Sequence, residues 1–304
     1  VIRKVLQIRE AGFPFVRWLK RNSFTIITLA PIIVYFLIYV YLPALYSVYL
    51  SLFKTRLITP VNFIGFQNYL NVLKDSFFWQ AVWHTFYFTA GSLIGSLIFG
   101  LGLALILEKK LPGKIFFRSI FFMPYIFPSA VVAILWYWIL DPVYGLVNYL
   151  LSFFGINAIP WLTDSDWVIP AFILIAIWRR IGFAMVLFLA GLQTIPEELY
   201  EAAVVDGANW WDKLIHISIP LLKPITLFIV TVSTIWNLQL FVLPFVLTKG
   251  GPSNASTSVV FLLYQKAFAQ YNMGQASTIA VLLFIIIFLT SLLMMKYFKI
   301  ENIY

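Results

Sequence analysis

Apolar residues run along this chain in long blocks separated by short polar stretches. Six blocks reach the ~20 residues that a helix needs to cross a bilayer. They are Phe24–Leu50, Trp79–Leu107, Ile120–Leu140, Trp167–Leu192, Ile225–Leu247 and Gly274–Met295. None alternates with the period of two of a barrel strand, so the pattern predicts an all-α, polytopic membrane protein with six transmembrane helices. One polar block stands apart. Between the fourth and fifth apolar runs, "TIPEELYEAAVVDGANWWDKLIHISIPLLKP" holds Glu197, Glu198, Glu201, Asp206 and Asp212, five of the twelve acids in the chain. The predicted organisation is a tail over 1–23, a first span and its loop over 24–78, a core over 79–298 containing a polar loop at 194–222, and a tail over 299–304.

Composition agrees with the pattern. The 304 residues are 62% hydrophobic and 11% charged, whereas soluble domains carry about 25% charged residues. There is no cysteine, which excludes a disulfide scaffold and thiolate metal sites. The basic start, "VIRKVLQIREAGFPFVRWLKRN", has no small-residue cleavage site before the first apolar run and is expected to be a tail, not a signal peptide. Lysine and arginine set the orientation. Arg3, Lys4, Arg9, Arg17, Lys20 and Arg21, then Lys109, Lys110, Lys114 and Arg118, then Lys213 and Lys223, then Lys296 and Lys299 share one side if there are six spans. The opposite loops hold Lys54, Arg56 and Lys74, then none, then Lys249 and Lys266. Both termini and the acid-rich loop are therefore expected in the cytoplasm. The net charge of +9 reflects this loop bias and does not suggest nucleic acid.

Local chemistry predicts a helix pair in the acid-rich loop. Thr194 and Glu197 have capping-box spacing, and Pro196 suits a first turn. The run "EELYEAAVVD" should continue to Gly207, a natural stop. Asn209 can cap a second helix, "WWDKLIHI", expected to end before Pro220. Small Ala202 and Ala203 beside Glu201, with Trp210, Trp211 and Ile215 nearby, favour a protein-docking element over a solvated loop. "LDPVYGLVN" and "LTKGGPSNAST" are turn chemistry on the other side. In the second span Gly91, Gly95, Gly100 and Gly102 interleave with Ser92 and Ser96, a face that admits close approach of another helix.

"EAAVVDGANWWDKLIHISIPLLKP" resembles the E-A-A loop of ABC-importer permeases. That pattern is E-A-A, three residues, G, nine residues, then I-x-L-P. Here it reads Glu201-Ala202-Ala203, Gly207 and Ile217-Ser218-Ile219-Pro220, with isoleucine in place of the usual leucine. "FIGFQNYLNVLKDSFFWQAVWHTF", "FFMPYIFPSAVVAILWYWIL", "FLAGLQTIPEELYEAAVVDGA" and "LTKGGPSNAST" resemble the carbohydrate-uptake branch, in the order of the maltose-type subunit with the outer G-G-P loop. The likeness spans roughly residues 24–298. It implies the type I importer permease fold in a prokaryotic inner membrane. It also implies a heterodimer with a second permease subunit, two cytoplasmic ATPase subunits and an extracytoplasmic solute-binding protein. The first loop helix would seat in the ATPase through Glu201, Ala202, Ala203, Asp206, Gly207 and Pro220. No G-x-x-x-x-G-K-[ST] occurs, so no cofactor is expected in this chain; ATP and Mg²⁺ would be bound by the partner ATPase subunits.

Polar groups inside spans are costly and usually face a cavity or the bundle interior. Carried over by motif, the resemblance places a sugar path at Ser129, Arg179, Arg180, Phe183, Ser233, Trp236, Asn237 and Leu240, with Gln239 in the same polar cluster of the fifth span. An aromatic face beside an amide suits a sugar ring and its hydroxyls. Adjacent arginines project about 100° apart on a helix, so Arg179 and Arg180 are not expected to meet one partner. One outcome is that one of them faces an anionic substrate, since guanidinium matches carboxylate or phosphate; the other is pairing with the partner subunit or snorkelling. The first favours uronate oligosaccharides such as alginate or pectin fragments, or a sugar phosphate, over a neutral sugar; the alternative within the family is a neutral oligosaccharide or glycerol-phosphate importer.

Other chemistries find little support. His84 and His216 lack partners at metal spacing, and His84 is expected to pack or hydrogen-bond. Asp164 and Asp166, beside Trp161 and Trp167, fit a solvated loop or a binding-protein contact. Every Asp and Glu lies in a loop, a tail or at a span edge, as Glu108 does, which disfavours an ion-coupled carrier. The absence of an internal repeat disfavours inverted-repeat carriers, and no nucleophile–base cluster suggests an intramembrane enzyme.

Overall fold

The computed structural model describes residues 23–57, 59–109 and 112–297. The basic tail before Ser23, Lys110, Lys299 and the 299–304 tail lie outside the described residues. The first span comprises α1 (Ser23–Phe36), a widened turn over Leu37–Tyr41 and α2 (Leu42–Ser51). The widening falls just before Pro43, which has no N–H to continue the helical ladder. A hairpin of β1 (Phe53–Arg56) and β2 (Thr59–Phe63) and a short α3 (Gln67–Lys74) follow. Hydropathy alone did not predict these. Buried Asn68 ties them to the bundle, its Nδ2 donating to the carbonyls of Ser51 and Phe53 at 2.9 Å.

Asp75 caps α4 (Ser76–Glu108) by accepting from the Phe77 N–H at 3.0 Å. This 33-residue helix packs along α8 (Val168–Leu192), and together they form the spine of the bundle. The expected small-residue face is the contact. A Cβ on Gly91, Gly95 or Gly100 would come within 2.6 Å of Ile173, 2.2 Å of Ile177 or 2.6 Å of Ala184, whereas Gly102 faces open space. Ser92 and Ser96 return their hydroxyls to carbonyls one turn back, Phe88 and Ser92, at 2.6 Å each.

Two expected spans are not continuous helices. The third divides into α5 (Lys114–Ile126) and α6 (Ser129–Ile139), bent by 102°. Phe127 precedes Pro128 and is driven to extended backbone (ψ 141°), which ends α5. The fifth is α11 (Lys223–Leu238), after which the chain opens at Gln239 and resumes as a widened turn over Pro244–Thr248. Pro244 cannot donate to the Leu240 carbonyl; the Ser258 hydroxyl takes that acceptor instead.

Between the third and fourth spans lies α7 (Leu146–Ser152), and between the fifth and sixth lies α12 (Val259–Ala269), which precedes α13 (Met273–Tyr297). Among the described residues, four helices are long and apolar enough to cross a membrane, or up to six spans if α5 with α6, and Trp210–Leu221 with α11 (bent by 64°), each count as one. The "LTKGGPSNAST" turn has left-handed backbone at Lys249, Gly250, Ser253 and Asn254. His84 Nδ1 lies 3.2 Å from the Thr257 carbonyl there, the hydrogen-bonding role expected of it.

Candidate functional site: a cavity and a helix pair

The bend in the third span and the break after α11 border a cavity of about 620 Å³. Its wall takes Phe88 from α4, Phe122 and Tyr125 from α5, Ser129 and Val132 from α6, Ile175, Ala176, Arg179 and Arg180 from α8, and Trp236 with the run Gln239 to Leu243 across the break after α11. A straight third span would carry Ser129 away from Tyr125; the bend at Pro128 sets both on the cavity.

Arg179 and Arg180 both line this space. They reach different parts of one wall. Arg179 Nη2 donates to the Phe127 carbonyl at 3.4 Å, at the bend. The Arg180 guanidinium lies 5.7 Å from the Trp236 ring centroid, a cation–π contact. Arg179 Nε and Arg180 Nη1 are buried without hydrogen-bond partners. The ion pair among the described residues, Lys266 with Asp75 at 3.5 Å, involves neither.

Trp236, Tyr125 and Phe183 form an aromatic cluster with centroids 5.2 to 6.0 Å apart. Trp236 and Tyr125 face the cavity, and Phe183 backs them. Gln239 and Leu240 also line it. Ser233 and Asn237 do not. Ser233 is buried, and Asn237 Nδ2 donates to Ser92 Oγ at 2.8 Å. The reason is that α11 packs against α4 beside Thr89 and Ser92, so an amide there meets a hydroxyl of the bundle before it meets a ligand. Tyr125 and Phe122 are cavity residues that motif carry-over passed by; both sit in "FFMPYIFPSA", just ahead of the proline that swings Ser129 toward them.

The acid-rich segment folds as the expected helix pair, α9 (Glu197–Val205) and α10 (Trp210–Leu221), with three corrections. Thr194 does not form a capping box; its hydroxyl donates to the Gly191 carbonyl at 2.7 Å, closing the end of α8. The N-cap of α9 is Pro196, without a side-chain bond. The second helix does not stop before Pro220 but runs through it to Leu221, because the turn over Leu214–Ser218 is widened and clears the ring. The Asn209 cap is present, with Asp212 completing a capping box. Gly207 has φ +80°, and bonds from the Gly207 N–H to Val204 and the Ala208 N–H to Ala203 close α9 as a Schellman motif. Tyr200 and Ser218 join the two helices through their hydroxyls at 2.9 Å. Glu201, Ala202, Asp206, Gly207 and Pro220 are exposed, Ala203 is half-buried, and nothing in α9 is buried. Val205 is 87% exposed.

Residues 96–299, which hold this helix pair and most of the cavity wall, match the model of the binding-protein-dependent transport system inner membrane component family. The chain belongs to that family. It is a multi-pass permease subunit of a binding-protein-dependent ABC transport system. Among its relatives, the probable ABC transporter permease protein YurN of Bacillus subtilis is 37% identical, over 87% of this chain and 92% of that protein. The sulfoquinovosyl glycerol transport system permease protein SmoG of Agrobacterium fabrum is 33% identical over 93% of each. The trehalose/maltose transport system permease protein MalF of Thermococcus litoralis is 34% identical, over 88% of this chain and 90% of that one. In three dimensions the permease superposes with a TM-score of 0.81, at 23% identity, on a chain of a bacterial ABC transporter involved in import of the acidic polysaccharide alginate, covering 95% of this chain and 99% of that one. That likeness establishes the importer permease fold.

Proposed function

We propose that this permease forms the translocation path for an acidic oligosaccharide, of the uronate type, delivered by an extracytoplasmic solute-binding protein. The carrying observation is the pair of buried arginine N–H groups without partners in an aromatic-walled cavity. A buried donor left unpaired costs about 1–3 kcal/mol, and an anionic sugar supplies both the acceptor and the countercharge. Trp236 and Tyr125 give a face for the apolar side of a pyranose ring. Ser129 and Gln239 supply hydroxyl and amide groups, and Phe183, Ser233 and Asn237 hold the wall in shape. The start of α6 at Ser129 adds the positive end of a helix. Relatives named for sulfoquinovosyl glycerol, and a fold shared with an alginate importer, accord with this substrate class. A relative named for trehalose and maltose keeps a neutral oligosaccharide as the competing substrate; glycerol phosphate is the other alternative within the family.

In this reading the acid-rich helix pair and both termini are cytoplasmic. Glu201, Ala202, Ala203, Asp206 and Gly207 dock one of two ATPase subunits, which bind ATP and Mg²⁺. Pro220 fixes the direction in which α10 hands movement to α11. A second permease subunit completes the path. Residues 24–78 supply the first span and its loop, 79–298 the core, and 1–23 and 299–304 the tails.

The test uses the complete transporter in proteoliposomes with its binding protein. Uronate oligosaccharides are expected to compete for uptake and to raise the unfolding temperature, and Arg180→Met is expected to remove both effects while leaving assembly intact. Full competition by neutral oligosaccharides with none by uronates overturns the substrate class. Uptake that persists without any ATPase subunit overturns the importer mechanism.

A further inference from the structure

We infer that residues 142–163, the connection around α7, are an interfacial anchor whose outward face is seated in the bilayer leaflet at that end of the bundle. The assignment of that leaflet as the outer one rests on the orientation proposed above; the seating itself does not.

The segment lies at the start of α8, the opposite end from the acid-rich pair. From Pro142 to Thr163 it contains no Asp, Glu, Lys, Arg or His. Yet its outward side chains are large and uncovered: Tyr144 is 89% exposed and Phe154 81%, with Tyr149, Leu150 and Phe153 also exposed. The inward side is firmly held. Val147 and Leu151 pack on the core. Buried Asn148 donates to the carbonyls of Pro142 and Ile159 and accepts from the Ile159 N–H and the indole N–H of Trp161. The apolar outer face is therefore displayed by a pinned element.

Three features favour lipid over a protein seat. A soluble partner's site that stands in water between encounters carries a polar rim, and this stretch offers no charge to build one. The patch also continues the apolar surface of α6, where Tyr137 and Trp138 are exposed, and Tyr and Trp concentrate at the headgroup level. Finally, much of the backbone bonds within the segment or to Asp141, which suits a water-poor setting. The Val143 and Tyr144 N–H groups bond Asp141 Oδ1 at 2.8 Å. Those of Gly145, Tyr149, Phe154, Gly155 and Ile156 bond carbonyls within the segment or at Asp141. The Asp141 carboxylate, held below its usual range by the Tyr144 and Val143 N–H groups, marks the aqueous edge.

The natural lack of cysteine makes the test direct. Phe153→Cys and Ser165→Cys are labelled with an environment-sensitive fluorophore in the complete transporter, reconstituted in phosphatidylcholine vesicles. Ser165 is exposed between Asp164 and Asp166 in the same connection, so it reports water. At 153 a blue-shifted emission, lost when the acyl chains are brominated, is expected; at 165 neither. A water-like emission at 153 overturns the inference. So does a blue shift indifferent to bromination, which means that protein covers the face. Reaction of Ser165→Cys with a membrane-impermeant maleimide from one side reports orientation separately, so a reversed topology and a failed anchor give different results.

Discussion

At one end of α8, residues 193–222 carry five acids and expose Val205, Trp210 and Trp211. At the other, residues 142–163 carry no charge and expose Tyr144, Tyr149 and Phe154. Both connections are helical, in both an Asx side chain accepts backbone N–H groups, and both display apolar groups that no described residue covers. The difference is what surrounds those groups. In the proposed reading, glutamates and aspartates around Val205 and Trp211 keep the helix pair soluble until a protein partner buries its apolar part, the pattern of a polar rim around a docking core. Around Phe154 nothing performs that task, which suits a medium that never withdraws. Exposed apolar area alone does not name a partner; the charge interleaved with it does.

The largest expected effect lies at the acid-rich end. Gly207→Pro cannot adopt φ +80° and destroys the turn between α9 and α10. Glu201→Lys reverses charge on the docking face. Both are expected to bring uptake to background and to lose ATPase subunits on co-purification, with the chain still in the membrane. Phe154→Ser at the other end is expected to keep ATPase co-purification and most of the uptake. If Phe154→Ser matches the loss from Glu201→Lys, the two ends are not doing different work.

Between those ends lies the cavity. Arg180→Met keeps the stem that packs beside Trp236 and removes the buried guanidinium. Apparent affinity for a uronate oligosaccharide should fall by roughly 10- to 100-fold, the equivalent of about 1.5–3 kcal/mol for charge-assisted hydrogen bonds, with little change for a neutral sugar. Competition uptake checks this. Equal losses for both sugars would assign the arginine to the scaffold.

Next in size is the pin beneath the uncharged connection. Asn148→Ala leaves the Trp161 indole N–H and the Ile159 N–H without acceptors, a loss of about 2 kcal/mol. The detergent-solubilised protein should show a lower midpoint of thermal unfolding and faster proteolysis between Pro142 and Trp161.

Much of this was legible in the sequence because a bilayer imposes a coarse, one-dimensional rule. Six apolar blocks stand where helices or bent helix pairs are found, and Asn209, Gly207 and the small face of α4 act as their chemistry requires. What was not legible depends on competition among neighbours. Pro31 and Pro124 sit inside helices, whereas Pro128 accompanies a bend of 102°; hydropathy is alike in all three. Thr194 could cap α9 or close α8, and the nearer Gly191 carbonyl wins. Asn237 looked like a sugar ligand until α11 set it against Ser92.

The smallest effect concerns the cap at the edge of the uncharged connection. Asp141 Oδ1 accepts the Val143 and Tyr144 N–H groups, and these bonds lower its pKa. A depressed folded pKa contributes stability above the unfolded value and loses it as pH falls through the folded one. Stability attributable to this cap is therefore flat from neutral pH down to the ordinary aspartate range near 3.9 and declines only below it. Asp141→Asn retains an acceptor for both N–H groups, so its unfolding midpoint should lie close to wild type and lack that acid-range decline, while Asp141→Ala should fall between Asp141→Asn and Asn148→Ala. Because the carboxylate is also the last charge before the apolar stretch, Asp141→Asn removes a water-seeking group without disturbing the fold. In vesicles the label at position 153 should then sit no shallower than before. A shallower label would mean that Asp141 holds the connection toward the membrane, and the division between a charged, protein-facing end and an uncharged, lipid-facing end would have to be redrawn at that residue.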